Sequence, residues 1–161
     1  MATPIWAIEG VALDSTGEMV DGSLGYEIAS LFAHETSAES VWPTLANGID
    51  VVSAAVNWQL GNFATIVAAN DIATSFHVVN VNIEAIDVNA VFCLVLYSGD
   101  GDVEIGRLRF AAVGGFFGNT RYRFSSPLIA ANSRIRAKLA SSNGGGAIAT
   151  VRISLGILAH A

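Results

Sequence analysis

From about residue 49 onward, the chain alternates apolar and polar residues in short runs that are separated by turn-forming residues. Val, Ile, Phe and Tyr are frequent in these runs, and the period of two is the spacing that places successive side chains on opposite faces of a strand. The pattern predicts eight strands, near residues 49–58, 62–68, 75–86, 90–98, 103–111, 120–125, 133–141 and 147–158. Short strands in this number predict an all-β fold, an antiparallel β-sandwich of the jelly-roll kind.

Two of the connections predict hairpins. Ser-Gly-Asp-Gly-Asp at 98–102 and Ser-Ser-Asn-Gly-Gly-Gly at 141–146 supply residues that tolerate the positive φ of a hairpin tip. Val-Ala-Ala-Asn at 67–70 and Ile-Ala-Ala-Asn at 129–132 are similar, and each leads towards a strand. We expect two similar corners, in each of which the Asn makes a turn.

Residues 1–48 are less regular, and we interpret them as an N-terminal arm ahead of a sandwich domain at 49–161. Helical spacing predicts a short amphipathic helix near residues 23–35, with its apolar stripe formed by Leu24, Ile28, Leu31 and Phe32. Its apolar stripe would dock either on its own domain or on a neighbour.

The chain is poor in charge. Charged residues make up 14% of it, against about 25% in ordinary soluble domains, and the mean hydropathy is +0.51. The surface is therefore covered by small residues such as Ala, Ser, Asn and Gly, or is buried in part by partner subunits, as in obligate assemblies. The two explanations are compatible.

Charge is segregated along the sequence. All 14 acidic residues lie between Glu9 and Glu104, and all 8 basic residues lie between Arg107 and Arg152. One interpretation is that the acidic part of one subunit meets the basic part of a neighbour, which would give orientation and register. The other is that acidic and basic strands pair within one molecule.

Alternation places most of the basic side chains on one side of their strands. If these strands are neighbours in one sheet, they form a basic face that contacts a partner, and we predict that face as the interface. Its residues are Arg107, Arg109, Arg121, Arg123, Arg134, Arg136 and Lys138.

The sequence contains no recognised catalytic or cofactor-binding motif, so we expect neither an enzyme nor a bound cofactor. Histidines 34, 77 and 160 lack a second ligand at a zinc-binding spacing, and no phosphate loop or nucleophile elbow is present. Asp100, Asp102 and Glu104 alternate as weak calcium ligands would, but we favour a solvated hairpin tip, since the full calcium-binding loop of an EF-hand is absent. Cys93 lies in an apolar run and is expected to be a buried, unreactive thiol.

The N-terminus has no basic region typical of a signal peptide, and no run approaches the roughly 18 apolar residues of a membrane span. We therefore expect no membrane association. An isoelectric point near 4.8 argues against nucleic-acid binding.

The C-terminal two-thirds of the chain resembles small virion proteins of tailed phages, chiefly capsid decoration or cement proteins with a jelly-roll or related sandwich. The segments that carry the resemblance are Phe-Cys-Leu-Val-Leu-Tyr-Ser-Gly at 92–99, Glu-Ile-Gly-Arg at 104–107, and the stretch at 127–142. The resemblance implies an auxiliary subunit that forms homo-oligomers, contacts the major capsid protein and is located in the virion after assembly in the host cytoplasm. It carries over no functional residues.

Two further hypotheses remain. The same kind of sandwich occurs in tail and fibre proteins, since fold does not determine function. A carbohydrate- or receptor-binding module would use Trp42 or Trp58 as a stacking platform.

Overall fold

The computed structural model describes residues 39–43, 48–113, 120–143 and 145–160. These residues belong to the compact unit Ala38–Ala161. The helix expected near residues 23–35 lies outside the described residues.

The described residues form nine strands and no helix, which confirms the all-β prediction. Eight of the strands overlap predicted ones, and the first, Glu-Ser-Val-Trp, is additional and lies in the segment that we interpreted as an irregular arm. The strands are β1 (Glu39–Trp42), β2 (Ile49–Val52), β3 (Ala64–Val67), β4 (Phe76–Ile86), β5 (Ala90–Ser98), β6 (Val103–Ala112), β7 (Thr120–Arg123), β8 (Ile135–Ser141) and β9 (Thr150–Ala159).

The strands pair into two antiparallel sheets. The five-stranded sheet has the order β1-β9-β4-β7, with β2 also pairing with β9, and the four-stranded sheet has the order β3-β8-β5-β6. β1 pairs with the C-terminal half of β9 and β2 with its N-terminal half. β9 therefore holds three other strands in place.

The core consists of the inward rows of the two sheets. On β9, the residues Val151, Ile153, Leu155 and Ile157 are at most 1% exposed. They belong to the same cluster as the inward residues of β5 and β8. Each fully buried side chain of this kind contributes about 1.5–3 kcal/mol to stability.

One of the two predicted hairpins is confirmed. β5 and β6 pair directly, and the tip between them uses Gly99 and Asp102 at φ values of +70° and +49°. The second prediction is wrong, because β8 pairs with β5 and β3 while β9 lies in the other sheet. The Gly-rich segment between them crosses from sheet to sheet. Glycine permits such a crossover as readily as a hairpin tip, and the crossover lets both apolar rows face the same core.

The two similar Asn corners lie next to each other. Asn70 and Asn132 have left-handed φ values of +71° and +62°, a region that Asn tolerates better than most residues. The backbone N–H of Asn70 donates to the carbonyl oxygen of Asn132 at 3.1 Å. The corners that precede β4 and β8 are therefore joined across the two sheets.

A single carboxylate connects three strands of the five-stranded sheet. Glu39 on β1 accepts a hydrogen bond of 2.6 Å from the side-chain amide of Asn80 on β4, and it also pairs with Arg121 on β7. Gly156 on β9 lies beneath these groups, and a Cβ there would overlap both the Asn80 amide and the Glu39 carboxylate. The absence of a side chain at residue 156 makes room for the network.

We expect Gly156→Ala to destabilise the protein by about 1–3 kcal/mol, because the added methyl group forces Asn80 or Glu39 to move. Urea denaturation followed by circular dichroism measures the loss. Gly101→Ala is the matched control, since a Cβ there meets only one methyl group of Val103 at 4.0 Å. It should change stability by no more than about 0.5 kcal/mol, and equal losses in both variants would contradict the steric explanation.

Candidate binding surface on the four-stranded sheet

The outer face of the four-stranded sheet carries four of the predicted basic residues. In the register of the sheet, Val95 on β5 lies between Lys138 on β8 and Arg107 on β6. In the neighbouring rows, Tyr97 lies beside Arg136, and Cys93 lies beside Arg109. Arg107, Arg109, Arg136 and Lys138 therefore share one face, as alternation predicted.

The other three predicted residues do not belong to this face, and the prediction of a single seven-residue face is wrong. Arg121 and Arg123 lie on β7, which pairs with β4 in the opposite sheet. Arg134 precedes β8, and its guanidinium donates to the carbonyl oxygens of Gly99 and Asp100 at the β5–β6 tip. Alternation shows on which face of a strand a side chain lies, but it does not show which other strand lies beside it in the sheet.

Acidic and basic residues pair within the molecule. This agrees with the second interpretation of the charge segregation, in which acidic and basic strands pair within one molecule. In the described part of the chain, five of the eight basic residues form ion pairs with acidic residues. The pairs are Arg107 with Glu104, Arg121 with Glu39, Arg134 with Asp100 and Asp102, Arg136 with Asp102, and Arg152 with Asp50. Within the described residues, no ion pair involves Arg109, Arg123 or Lys138.

These pairs shift the acidic groups towards their charged form. Hydrogen bonds from Arg107 hold the pKa of Glu104 below its usual value, and in return the pKa of Arg107 is raised. Hydrogen bonding to Arg152 likewise lowers the pKa of Asp50.

The alternating carboxylates at the β5–β6 tip have guanidinium partners. Asp102 pairs with Arg136 and lies 3.7 Å from Arg134, and Glu104 pairs with Arg107. Across the described ranges, no group of three or more His, Cys, Asp or Glu residues is arranged to hold a metal ion. The arginines thus supply the positive charge that a calcium ion would bring.

A loop between β2 and β3 runs along the edge of β8 and adds aromatic side chains to this outer face. The N–H groups of Trp58 and Gly61 donate to the carbonyl oxygens of Ser141 and Leu139, each at 2.9 Å. Alternation predicted strands at 49–58 and 62–68 with only residues 59–61 between them, so most of this loop was predicted as strand. Its composition of Trp, Gly and Phe within six residues, 58–63, was the available signal.

Each aromatic residue of the loop contacts basic side chains. The Phe63 ring has the Arg136 guanidinium carbon at 4.0 Å and the Lys138 ammonium at 4.1 Å from its centroid. It also meets the Tyr97 ring edge-on at 5.1 Å. Burial raises the pKa of the Tyr97 hydroxyl, and the Glu104 carboxylate raises it further. These cation–π contacts hold the basic side chains against the sheet.

Beside Trp58 the surface forms an open cleft of about 580 Å³. The Arg109 guanidinium carbon lies 4.9 Å from the centroid of the Trp58 ring. Cys93 was expected to be a buried thiol, but it is half-buried and lies on the outer face. The lining residues are Trp58, Leu60, Cys93, Val95, Arg107, Arg109 and Ala140.

The remaining candidate residues lie elsewhere. His77 and His160 pack edge-on at 5.0 Å, and Nδ1 of His77 lies 3.1 Å from the carbonyl oxygen of Ser126. His34 lies outside the described residues. Trp42 packs against the core, so of the two proposed stacking platforms Trp58 is the one beside the cleft.

The described ranges contain no helix that is both long enough and apolar enough to cross a bilayer.

No protein-family model matches the sequence, and no curated protein matches it. Among solved structures, infectious bursal disease virus Gt strain matches with a TM-score of 0.38 and 18% identity, over 76% of this chain and 32% of that one. The Gx strain gives a TM-score of 0.39 and 18% identity over the same shares. A mutant VP2 protein of infectious bursal disease virus gives a TM-score of 0.37 and 17% identity, over 76% of this chain and 32% of that one. The chain spans about a third of the length of these proteins.

The pair of Asp50 and Arg152 predicts a pH-dependent contribution to stability. Because folding lowers the pKa of Asp50 from its usual 3.8, the pair stabilises the folded state above that pH and the contribution is lost as the pH falls through the lowered value. We expect Asp50→Asn to cause a small loss of stability at pH 7 and a smaller difference from the wild type below pH 3.8. Both side chains are more than 40% exposed, so solvent screening keeps the effect small.

Urea denaturation of the wild type and variant at pH 7 and pH 3 measures this difference. Arg152→Gln and the double variant complete a thermodynamic cycle, and the double variant should lose no more than Arg152→Gln alone. A difference between Asp50→Asn and the wild type that is equal at both pH values would exclude the pair as its cause.

Proposed function

We propose that the protein is a non-enzymatic structural subunit of a virus particle, which acts by packing against copies of itself and against other virion proteins. Decoration or cementing of a tailed-phage capsid, in contact with the major capsid protein, is the specific role that we favour. The alternative role is in a tail or fibre. The observation that carries the proposal is an exposed apolar surface at one end of the sandwich.

Large apolar side chains that are exposed to solvent concentrate at this end. Ten such residues occur in the described part of the chain, with exposures from 36% to 81%, and six of them lie on the strand ends and loops here. We call this surface the apolar end, and its residues are Val52, Val56, Trp58, Val91, Val113 and Ile148.

Backbone hydrogen bonds bring these segments together. The N–H of Ser142 donates to the carbonyl oxygen of Val91 at 2.8 Å, and that of Gly146 donates to Ala55 at 3.2 Å. Val113 directly follows Ala112, the strand partner of Ala90. The six residues therefore belong to adjoining segments and not to scattered positions.

An exposed apolar surface of this kind supports assembly. Single exposed apolar residues are normal in monomers, but contiguous patches mark contact sites, and each valine that a partner covers completely contributes about 1.5 kcal/mol. The low content of charged residues agrees with a surface that is covered by neighbours.

The distribution of net charge also favours close packing of the sandwich. Residues 1–38 contain six acidic residues and no basic one, so they account for the whole net charge of −6. Residues 39–161 contain eight acidic and eight basic residues and are neutral. Two sandwiches therefore approach each other without net repulsion, while the acidic N-terminal segment is attracted to a basic partner.

The resemblance to small phage virion proteins in segments 92–99, 104–107 and 127–142 supports the choice of a virion over other assemblies. These segments contribute β5, part of β6 and β8, which are scaffold elements without catalytic groups. The virion location and the capsid partner follow from that resemblance.

Substitution at the apolar end tests the proposal. We expect the double variant Val113→Asp/Ile148→Asp to lower the self-association constant by at least about 100-fold, because two charges must be desolvated in each contact. Light scattering or sedimentation of the full chain over a range of concentrations measures the mass.

Val103→Asp/Leu128→Asp is the matched control, since these residues are 65% and 60% exposed away from the apolar end. The control should associate as the wild type does, and both variants should retain the wild-type circular dichroism spectrum. A wild-type protein that remains monomeric at every concentration, or a control as defective as the test variant, would contradict assembly through the apolar end.

The effect of salt separates apolar from ionic contacts. Because five basic residues already have partners within the chain, we expect the oligomer to persist as ionic strength rises, while screening weakens exposed charge pairs. The mass in low and in high sodium chloride checks this. Dissociation at high salt would favour charge pairing between subunits instead.

A further inference from the structure

We propose that the cleft beside Trp58 binds a carboxylated sugar, that is, a pyranose ring bearing one carboxylate, as in sialic and uronic acids. The proposal goes beyond assembly and concerns a different set of side chains from those changed in the assembly test. It rests on the guanidinium of Arg109, the ring of Trp58 and the apolar floor between them.

Arg109 is placed to receive an anion. The other guanidinium of the cleft, that of Arg107, is held by both carboxylate oxygens of Glu104, whereas Arg109 has no ion pair within the described residues. Arg109 lies over the Trp58 ring, 4.9 Å from its centroid, and its strand neighbour across the sheet is Cys93. Stacking fixes the plane of a guanidinium and leaves its N–H edge free for a carboxylate, which it binds with two parallel hydrogen bonds.

Trp58 is held in an uncommon conformation at this place. Its φ is +58°, a left-handed value that is unfavourable for a bulky residue, and its N–H donates to the carbonyl oxygen of Ser141. Side chains in such conformations often serve a binding site. Trp58 as a whole residue is 45% exposed, and it lines the cleft next to Arg109.

The floor of the cleft is apolar. Val95 and Ala140 are 1% and 4% exposed, so they lie beneath the surface of the cleft. The half-buried Cys93 and Leu60 supply the accessible apolar surface, which suits C–H groups and methyl groups. A volume of about 580 Å³ is within the range of small-ligand sites.

These features together favour a sugar acid over other anions. A pyranose has a C–H face that packs on an aromatic ring and an apolar floor, and its carboxylate matches the single unpaired guanidinium. A phosphate dianion would need further positive partners, but Arg107 is already neutralised by Glu104.

Calorimetric titration of the full chain with three methyl glycosides tests the proposal. The two acidic probes are the methyl glycoside of glucuronic acid and the methyl glycoside of N-acetylneuraminic acid, each with a free carboxylate. Methyl glucoside is the matched neutral sugar. We expect saturable binding of at least one acid with a dissociation constant of about 1 mM, and binding of the glucoside weaker by at least about tenfold. The tighter of the two acids identifies the source of the ligand.

Arg109→Gln should reduce binding of the acid to the level of the glucoside. Arg123→Gln is the control, because Arg123 also lacks an ion pair within the described residues but lies in the other sheet. It should bind as the wild type does. Trp58→Ala should weaken acid and neutral sugar together, since it removes the stacking surface and not the charge partner.

Three results would overturn the proposal. The first is no saturable binding of either acid up to about 50 mM. The second is equal loss of binding in Arg109→Gln and Arg123→Gln. The third is competition by inorganic phosphate or adenosine monophosphate at lower concentration than the sugar acid, which would indicate a phosphate site. Because Trp58 also belongs to the apolar end, the titration is repeated with Val113→Asp/Ile148→Asp, which keeps every residue of the cleft and is expected to self-associate less. Absence of acid binding in that variant as well overturns the present proposal and leaves the assembly proposal untouched.

Discussion

Burial of the inward row of β9 is the constraint on which the rest of the structure depends. Its four aliphatic side chains are almost inaccessible to solvent, and its backbone pairs with β1 and β2 on one side and with β4 on the other. The five-stranded sheet therefore exists only if β9 lies across the core from β5 and β8. That requirement explains why the Gly-rich segment before β9 crosses between sheets instead of closing a hairpin with β8.

The outer faces of the two sheets consist of the residues that are not buried in the core. Eight basic residues follow 14 acidic ones in the sequence, and folding brings the two groups side by side at the β5–β6 tip, between β2 and β9, and above Asn80. Pairing within the chain neutralises the sandwich. Among the described basic residues, Arg109, Arg123 and Lys138 form no ion pair, and we propose recognition through the apolar end and through Arg109 in the cleft.

Alternation along the chain predicted the strands well, because half-buried strands impose a period of two on their sequences. It also placed Arg107, Arg109, Arg136 and Lys138 on one face. It did not show that Arg121 and Arg123 belong to the other sheet, since strand pairing depends on contacts between distant segments.

The cleft was harder to predict. It is built from side chains on β5, β6 and β8 together with a loop that resembles a strand in composition, so no local pattern indicates it. Trp58 was a candidate from the sequence as an aromatic platform. Its partners Arg109 and Val95 became visible only when the register of the strands was known.

Among the described strands, β6 lies at the edge of the four-stranded sheet, and it is ten residues long. It carries Glu104, Arg107 and Arg109, and an extra residue interrupts its register opposite Leu96 and Tyr97. Charged side chains and a bulge hinder the pairing of a further strand with such an edge. These features of β6 therefore protect it against the edge-to-edge pairing of copies that leads to aggregation.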